Sequence, residues 1–427
     1  MQPGPIDTEL NPATSEWAVP QKAATALDRY GHVDEIAAMV AFVAGPESSY
    51  ITGGQSYRRW RNECLTKVSE NERRIVKEKQ IKLMRQLQLV AHGEPSDVIE
   101  LNTFPEPALG QEDVLISMEA APINPSDFLY VRGLYGVRPA FPSSVGAEGV
   151  GRVAKIGSKV DVALQGKRVL IIPTYEQGTW ANQVVAPVRN IVPMSEEADP
   201  LQLSMIGINP VTAYLVLNRY VSLMPGDWIG QTAANAAMGQ YIIALAKLAG
   251  VKTLNVVRRE EAAEQVRQWG GDRVVLQGDN LDKDIEGALD GKKLSLVLDT
   301  VGGTPVGELA KSLKTGGSIV VYAMQGGQFP AISPKDLIYR GLSLHGFWLI
   351  NWIRNAPRAE IQEVYQKLGD LVANGSLFAA VEQVYPLDQF KEAFEQSLKS
   401  NRGGKILFKF GAADGTDLRN STTKGIR

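Results

Sequence analysis

An α/β protein, part β-rich and part parallel sheet covered by helices, is what this sequence predicts. Three observations carry the prediction. Residues 84–205 give short apolar stretches broken by Gly, Pro, Asp and Asn, as in DVLISMEAAPINP and GVGRVAKIGSKV, the pattern of an irregular β-rich domain. Residues 206–343 alternate strands with helices, the strand candidates being DWIGQ, TLNVV, RVVLQ, LSLVLDT and GSIVVYAM. Such βαβ repetition builds a doubly wound parallel sheet with helices on both faces. Residues 344–410 then give LHGFWLINW, a helix over about 358–375 and a last strand, GKILFKF, which are expected to return to the β-rich domain.

The N-terminal stretch is different. Residues 1–55 hold a Pro-Gly loop and an amphipathic helix that stops at Gly45-Pro46 before an extended piece, SSYITGG. This resembles the C-terminal end of a short-chain dehydrogenase without that family's glycine-rich loop or YxxxK pair, so a truncated remnant is expected. Residues 56–83 carry nine Lys/Arg against four Glu and read as a charged linker. Met84 is the expected start of the functional unit, and residues 411–427, polar throughout, the expected disordered tail.

The totals exclude several classes. At 427 residues, 44% hydrophobic and 22% charged, the chain can bury a large core without staples. A net charge of -2 gives no reason to expect nucleic acid as the main partner. No apolar run is long enough to suggest a membrane span, and MQPGPIDTEL has no signal-peptide pattern. One cysteine, Cys64, permits no internal disulfide and fits the cytoplasm. It and three scattered histidines give no metal-ligand spacing, so no metal is expected.

The stretch GDWIGQTAANAAMGQYIIALAKLAG, 226–250, reads as strand, turn and helix, stopped by Gly250. A dinucleotide fold wants GxGxxG here, so that backbone can approach pyrophosphate at a helix N-terminus. TAANAAMG keeps only Gly239 of those glycines, but alanine is nearly as small and Asn235 tolerates a left-handed backbone. The next strand ends in Arg258 and Arg259. An acid there would bind the ribose hydroxyls of NAD. Arginine instead attracts a 2′-phosphate, so NADP(H) is expected.

With these pieces placed, residues 84–410 resemble a zinc-free medium-chain dehydrogenase/reductase, and within it the mitochondrial-type trans-2-enoyl thioester reductases. The stretches that carry the resemblance are APINPSDFLYVRGLYGVRP (121–139), GAEGVGRVAKIGSKV (146–160), GINPVTAYLVL (207–217), NAAMGQ (235–240), LNVVRR (254–259) and HGFWLINW (345–352). The resemblance implies a GroES-like catalytic domain over 84–205 and 344–410, plus a Rossmann domain over 206–343. The zinc enzymes of the superfamily have GHE where this chain has Gly146-Ala147-Glu148. Two departures are Ala236, where relatives carry a small polar residue or glycine, and YAMQGG (322–327) in place of YGGM.

Tyr135 sits between Gly133 and Gly136, in a turn that belongs at the surface or along a cleft. The resemblance implies that it is the proton donor. A conjugated thioester that accepts hydride at its β-carbon gathers negative charge on Cα and the carbonyl oxygen, and a phenol, protonated at neutral pH, suits that task. By the same resemblance Asn209 binds the nicotinamide side or positions Tyr135. Asn235, Ala236, Ala237 and Met238 contact the pyrophosphate. Tyr322, Ala323, Met324 and Gln325 sit beside the nicotinamide. Phe347, Trp348 and Leu349 run along the cleft, and Lys405 reaches the cofactor from the last strand. The implied substrate is an acyl thioester of coenzyme A or acyl carrier protein, and the implied assembly a homodimer. An NADPH:quinone reductase is the alternative, and a non-catalytic NADPH-binding protein a third class.

Overall fold

The structure, a computed structural model, describes residues 83–399 and 402–411, with Thr14, Ala18 and His32 as isolated positions. The chain divides between Ile81 and Lys82. Apart from those three positions, the remnant-like segment, the charged linker before Leu83 and the tail beyond Gly411 lie outside the described residues.

The β-rich part begins with β1 (Leu83–Leu89), β2 (Ile99–Pro105) and β3 (Asp113–Pro122). It continues with β4 (Ser143–Ser144), β5 (Gly149–Ile156), β6 (Arg168–Ile171), β7 (Gln183–Pro187) and β8 (Ile191–Pro193). One sheet has the order β2-β1-β4. A second centres on β3, which pairs β5 along its length, β7 at its start and, at its end, a strand from far along the chain. That strand is β16 (Lys405–Lys409), which in turn pairs β15 (Val381–Tyr385). The pairing sets Lys405 beside Ile123 and Asn124, more than 280 residues away in sequence.

The nucleotide-type part holds β9 (Trp228–Gln231), β10 (Lys252–Val257), β11 (Arg273–Leu276), β12 (Leu294–Asp299), β13 (Leu313–Val321) and β14 (Ser343–Gly346). All pairs are parallel, in the order β11-β10-β9-β12-β13-β14. This is the doubly wound order that reverses between its first and fourth strands, here β9 and β12. β12 is buried along its whole length, as a central parallel strand must be when helices cover both faces. The sheet takes one strand more than the expected boundary allows. β14 crosses 343/344 because Ser343–Gly346 pairs with β13 before the chain turns back.

The largest hydrophobic cluster runs from β5 and β6 through the helix Asn209–Asn218 to β9, β12 and the helix Arg358–Ala373. It spans both sheets, so the crevice between them has a packed floor.

Candidate active site

The turn after β9 leads into the helix Ala237–Leu248. Its N-cap, Ala236, offers no side-chain hydrogen bond, which leaves the first amides for an outside acceptor. The left-handed residue of the turn is Ala233, at φ 48°, and not Asn235. The strand exit, and not the helix entry, needs that conformation, at a cost of about 1 kcal/mol or more for a residue with a Cβ. Gly239 survives for a different reason. A Cβ there would lie 2.2 Å from the Ala234 carbonyl oxygen. Across the switch point, Thr232 Oγ1 donates to Asp299 Oδ1 at 2.8 Å, and the Gly302 amide donates to the same carboxylate at 3.0 Å. Thr300 Oγ1, beside them, is buried without a partner among the described residues.

A cavity of about 610 Å³ opens at the carboxyl ends of β9, β10 and β12. Arg258 lies on its wall at the end of β10, exposed and without an ion pair among the described residues. Lys399, Arg402 and Lys405 line it from the other sheet's segment, and no Asp or Glu among the described residues does. Four basic side chains and an uncapped helix start suit a phosphorylated dinucleotide.

Tyr135 follows the helix Pro125–Val131. The Trp348 indole N–H donates to its hydroxyl oxygen at 3.0 Å, and the rings meet edge-on with centroids 5.9 Å apart. Gly136 makes this approach possible, since a Cβ there would lie 2.8 Å from Trp348 Cη2. Burial raises the Tyr135 pKa and the Trp348 donor offsets part of that, so the phenol keeps its proton at neutral pH. Tyr175 packs on Tyr135, and Tyr130 on Tyr175, with centroids 5.4 and 5.0 Å apart.

Behind the cavity wall lies a buried polar cluster. Asn124 Nδ2 donates to Glu148 Oε1 at 2.8 Å, and the Ile208 amide donates to Glu148 Oε2 at 2.8 Å. Lys405 Nζ donates to Asn124 Oδ1, and Asp127 accepts from the Asn124 amide at 2.8 Å. Burial raises the Glu148 pKa to about 7 and that of Asp127 to about 6, and lowers that of Lys405. Glu148 thereby ties the GAE turn to the residue before Asn209, and Asn124 ties both to β16.

The structure thus gathers Asn209, Asn235, Ala236, Ala237, Met238, Arg258, Gln325 and Lys405 around one cavity. Arg259 stands outside it as the N-cap of the helix Glu260–Gln268. Leu349 is buried in the main core, not along the cleft, because it opens the helix Leu349–Asn355 on its inner face. Met324 is 72% exposed, while Tyr322 and Phe347 pack against the main core. Ala323, half-buried, does not line the cavity, and Trp348 addresses Tyr135. Sequence reasoning missed Thr232, Gln277, Val301 and Gly302, although each follows a strand of the parallel sheet and the switch-point rule reaches them. It also missed Lys399 and Arg402, which carry no local signal.

Comparison with known proteins adds to this geometry. Residues 110–196 match the alcohol dehydrogenase GroES-like domain family, and residues 237–370 the zinc-binding dehydrogenase family. Among the described residues, no group of three His, Cys, Asp or Glu could hold a metal ion. A mitochondrial enoyl-[acyl-carrier-protein] reductase of Dictyostelium discoideum is 33% identical over 331 residues, covering 76% of this chain and 94% of that protein. A solved complex of Etr1p with NADP and crotonyl-CoA shares the fold, with a TM-score of 0.68 at 23% identity over 77% of this chain and 100% of that one. The Etr1p/Etr2p heterodimer of Candida tropicalis matches with the same score at 22% identity, over 77% of this chain and 100% of that one. A quinone oxidoreductase of Pseudomonas syringae matches with a TM-score of 0.67 at 25% identity, over 76% of this chain and 99% of that one.

Proposed function

The chain belongs to the zinc-free medium-chain dehydrogenase/reductases, among the mitochondrial-type enoyl thioester reductases, and from that premise we propose that it reduces trans-2-enoyl thioesters with NADPH. Bound NADPH supplies the hydride that the β-carbon takes up. Asn235 to Met238 and the free helix start hold the pyrophosphate, and Arg258 the 2′-phosphate. Lys405, fixed by Asn124, faces the same cavity. Tyr135 gives its proton to Cα as the enolate collapses. One observation carries this role. The phenol oxygen accepts the Trp348 N–H, so its own proton is turned away from the indole and is free for the acceptor.

NADPH oxidation by the purified protein, with crotonyl-CoA against a quinone, tests the reading. Crotonyl-CoA is the expected acceptor, and Tyr135→Phe should slow it about 100-fold or more. A wild-type preference for the quinone, or an unaffected Tyr135→Phe, overturns it.

The chain is proposed to form a homodimer, because β14 leaves an open sheet edge with Leu344 46% exposed and Ile338 and Tyr339 nearby also exposed. The cytoplasm is the proposed compartment, on the single cysteine. Light scattering and cell fractionation test the two. A monomer, or enrichment in the mitochondrial pellet, refutes the respective assignment.

A further inference from the structure

Three phenols stand side by side, the acid Tyr135 among them, and two of them make a hydrogen bond. The Tyr130 hydroxyl pairs with Ser143 Oγ at 3.1 Å, and the Tyr135 oxygen accepts from Trp348 at 3.0 Å. The third, Tyr175, has its hydroxyl buried and makes no hydrogen bond among the described residues. Tyr135 and Ser126 are polar neighbours close enough to act on this hydroxyl, but neither meets full hydrogen-bond geometry with it. An unmet buried donor is unfavourable and rare. The backbone adds a second unfavourable feature. Tyr175 has φ 64°, a region that large side chains seldom enter. Its loop is pinned there. The Asn190 amide reaches Thr174 Oγ1, Glu176 Oε2 and Gln177 Oε1 at 3.1, 3.0 and 2.9 Å. Tyr175 and Tyr135 both pack against the same two hydrophobic clusters, along the seam between them, where little water can satisfy the group.

We propose that Tyr175 is a second hydroxyl donor of the acyl site, whose missing acceptor is the carbonyl oxygen of the substrate thioester. This rests on the enoyl thioester reading. Tyr175 keeps its proton throughout and bonds the oxygen on which charge gathers. Tyr135 alone gives up a proton, to Cα. Two phenols divide the work that a lone acid would have to do at both atoms.

Tyr175→Phe keeps the ring and removes only the hydroxyl. Three readings are expected together. The kcat on crotonyl-CoA falls about 100-fold. NADPH affinity holds, and Tm holds or rises, since no protein partner is lost. With NADP⁺ bound, the wild type prefers butyryl-CoA over the corresponding butyl thioether, which lacks the carbonyl, and the variant loses that preference. An unchanged kcat overturns the proposal. So does a lowered Tm with equal weakening toward thioester and thioether, which marks a structural hydroxyl. A wild type inert toward crotonyl-CoA would instead sink the parent reading.

Discussion

Replacing Trp348 by Phe isolates what the indole does for the acid. The 3.0 Å bond from Trp348 Nε1 ends on the phenol oxygen. That oxygen is neutral in the resting enzyme and becomes anionic as Tyr135 releases its proton. A hydrogen bond between neutral groups contributes about 1 kcal/mol net, and one to a charged group about 1.5–3 kcal/mol. Only the difference, about 0.5–2 kcal/mol, acts on the rate, which corresponds to roughly a 2- to 30-fold fall in kcat. NADPH binding should be untouched, because Trp348 does not line the cofactor cavity. The alkaline limb of the rate profile should move to higher pH, since the indole donor lowers the Tyr135 pKa and its loss lets that pKa rise. The assay is crotonyl-CoA reduction at saturating NADPH for wild type, Trp348→Phe, Tyr135→Phe and the double variant. If the indole acts through the phenol, the double variant is no slower than Tyr135→Phe. A full additive loss in the double variant, or no loss in Trp348→Phe, refutes the argument.

Other outcomes follow from the same geometry. Arg258→Gln should raise the KM for NADPH about 10- to 100-fold and leave NADH unchanged, whereas Arg259→Gln, outside the cavity, should do little; equal effects would remove the phosphate assignment. Stability should decline between about pH 4.5 and 7, because Glu148, raised from 4.5 to about 7, binds its proton more tightly folded than unfolded. Its stabilisation is complete below pH 4.5 and lost as pH rises through about 7, on the order of 3 kcal/mol. Asp127 adds to the same trend from 3.8 to about 6, while Glu196 and Asp227, whose pKa values are lowered by backbone N–H donors, oppose it only under more acid conditions. Urea midpoints at pH 5 and 7.5 measure the decline, and Glu148→Gln should flatten it. Residues 84–427 expressed alone should fold and turn over substrate, since of the described residues in the unit that begins at Lys82 they lose only Leu83, an exposed strand end. An insoluble or inactive product counts against Met84 as the functional start.

Periodicity and punctuation made the parallel strands legible, because a strand buried on both faces has to be apolar along its length, as LSLVLD is. They could not reveal β14, whose SLHG is short and half-exposed at the sheet's edge. Nor could they tell which small residue of TAANAAMG turns left-handed, since that depends on how the strand leaves the sheet, and the choice fell on Ala233. Of the two adjacent arginines, the helix that begins at Glu260 takes one as its cap and leaves Arg258 to the cavity.

By itself the sequence determined the chemistry on offer: a phenol in a glycine-flanked turn, a small-residue turn before a helix, and a basic strand end. These are local properties, written in neighbouring residues. Only the tertiary structure decided that Trp348, 213 residues from Tyr135, addresses its hydroxyl, that Lys405 meets Asn124 and shares a buried cluster with Glu148, and that one phenol of three is left without a partner. The physical reason is that hydrogen bonds and burial depend on distance in space, which strand pairing between remote segments sets and residue order does not.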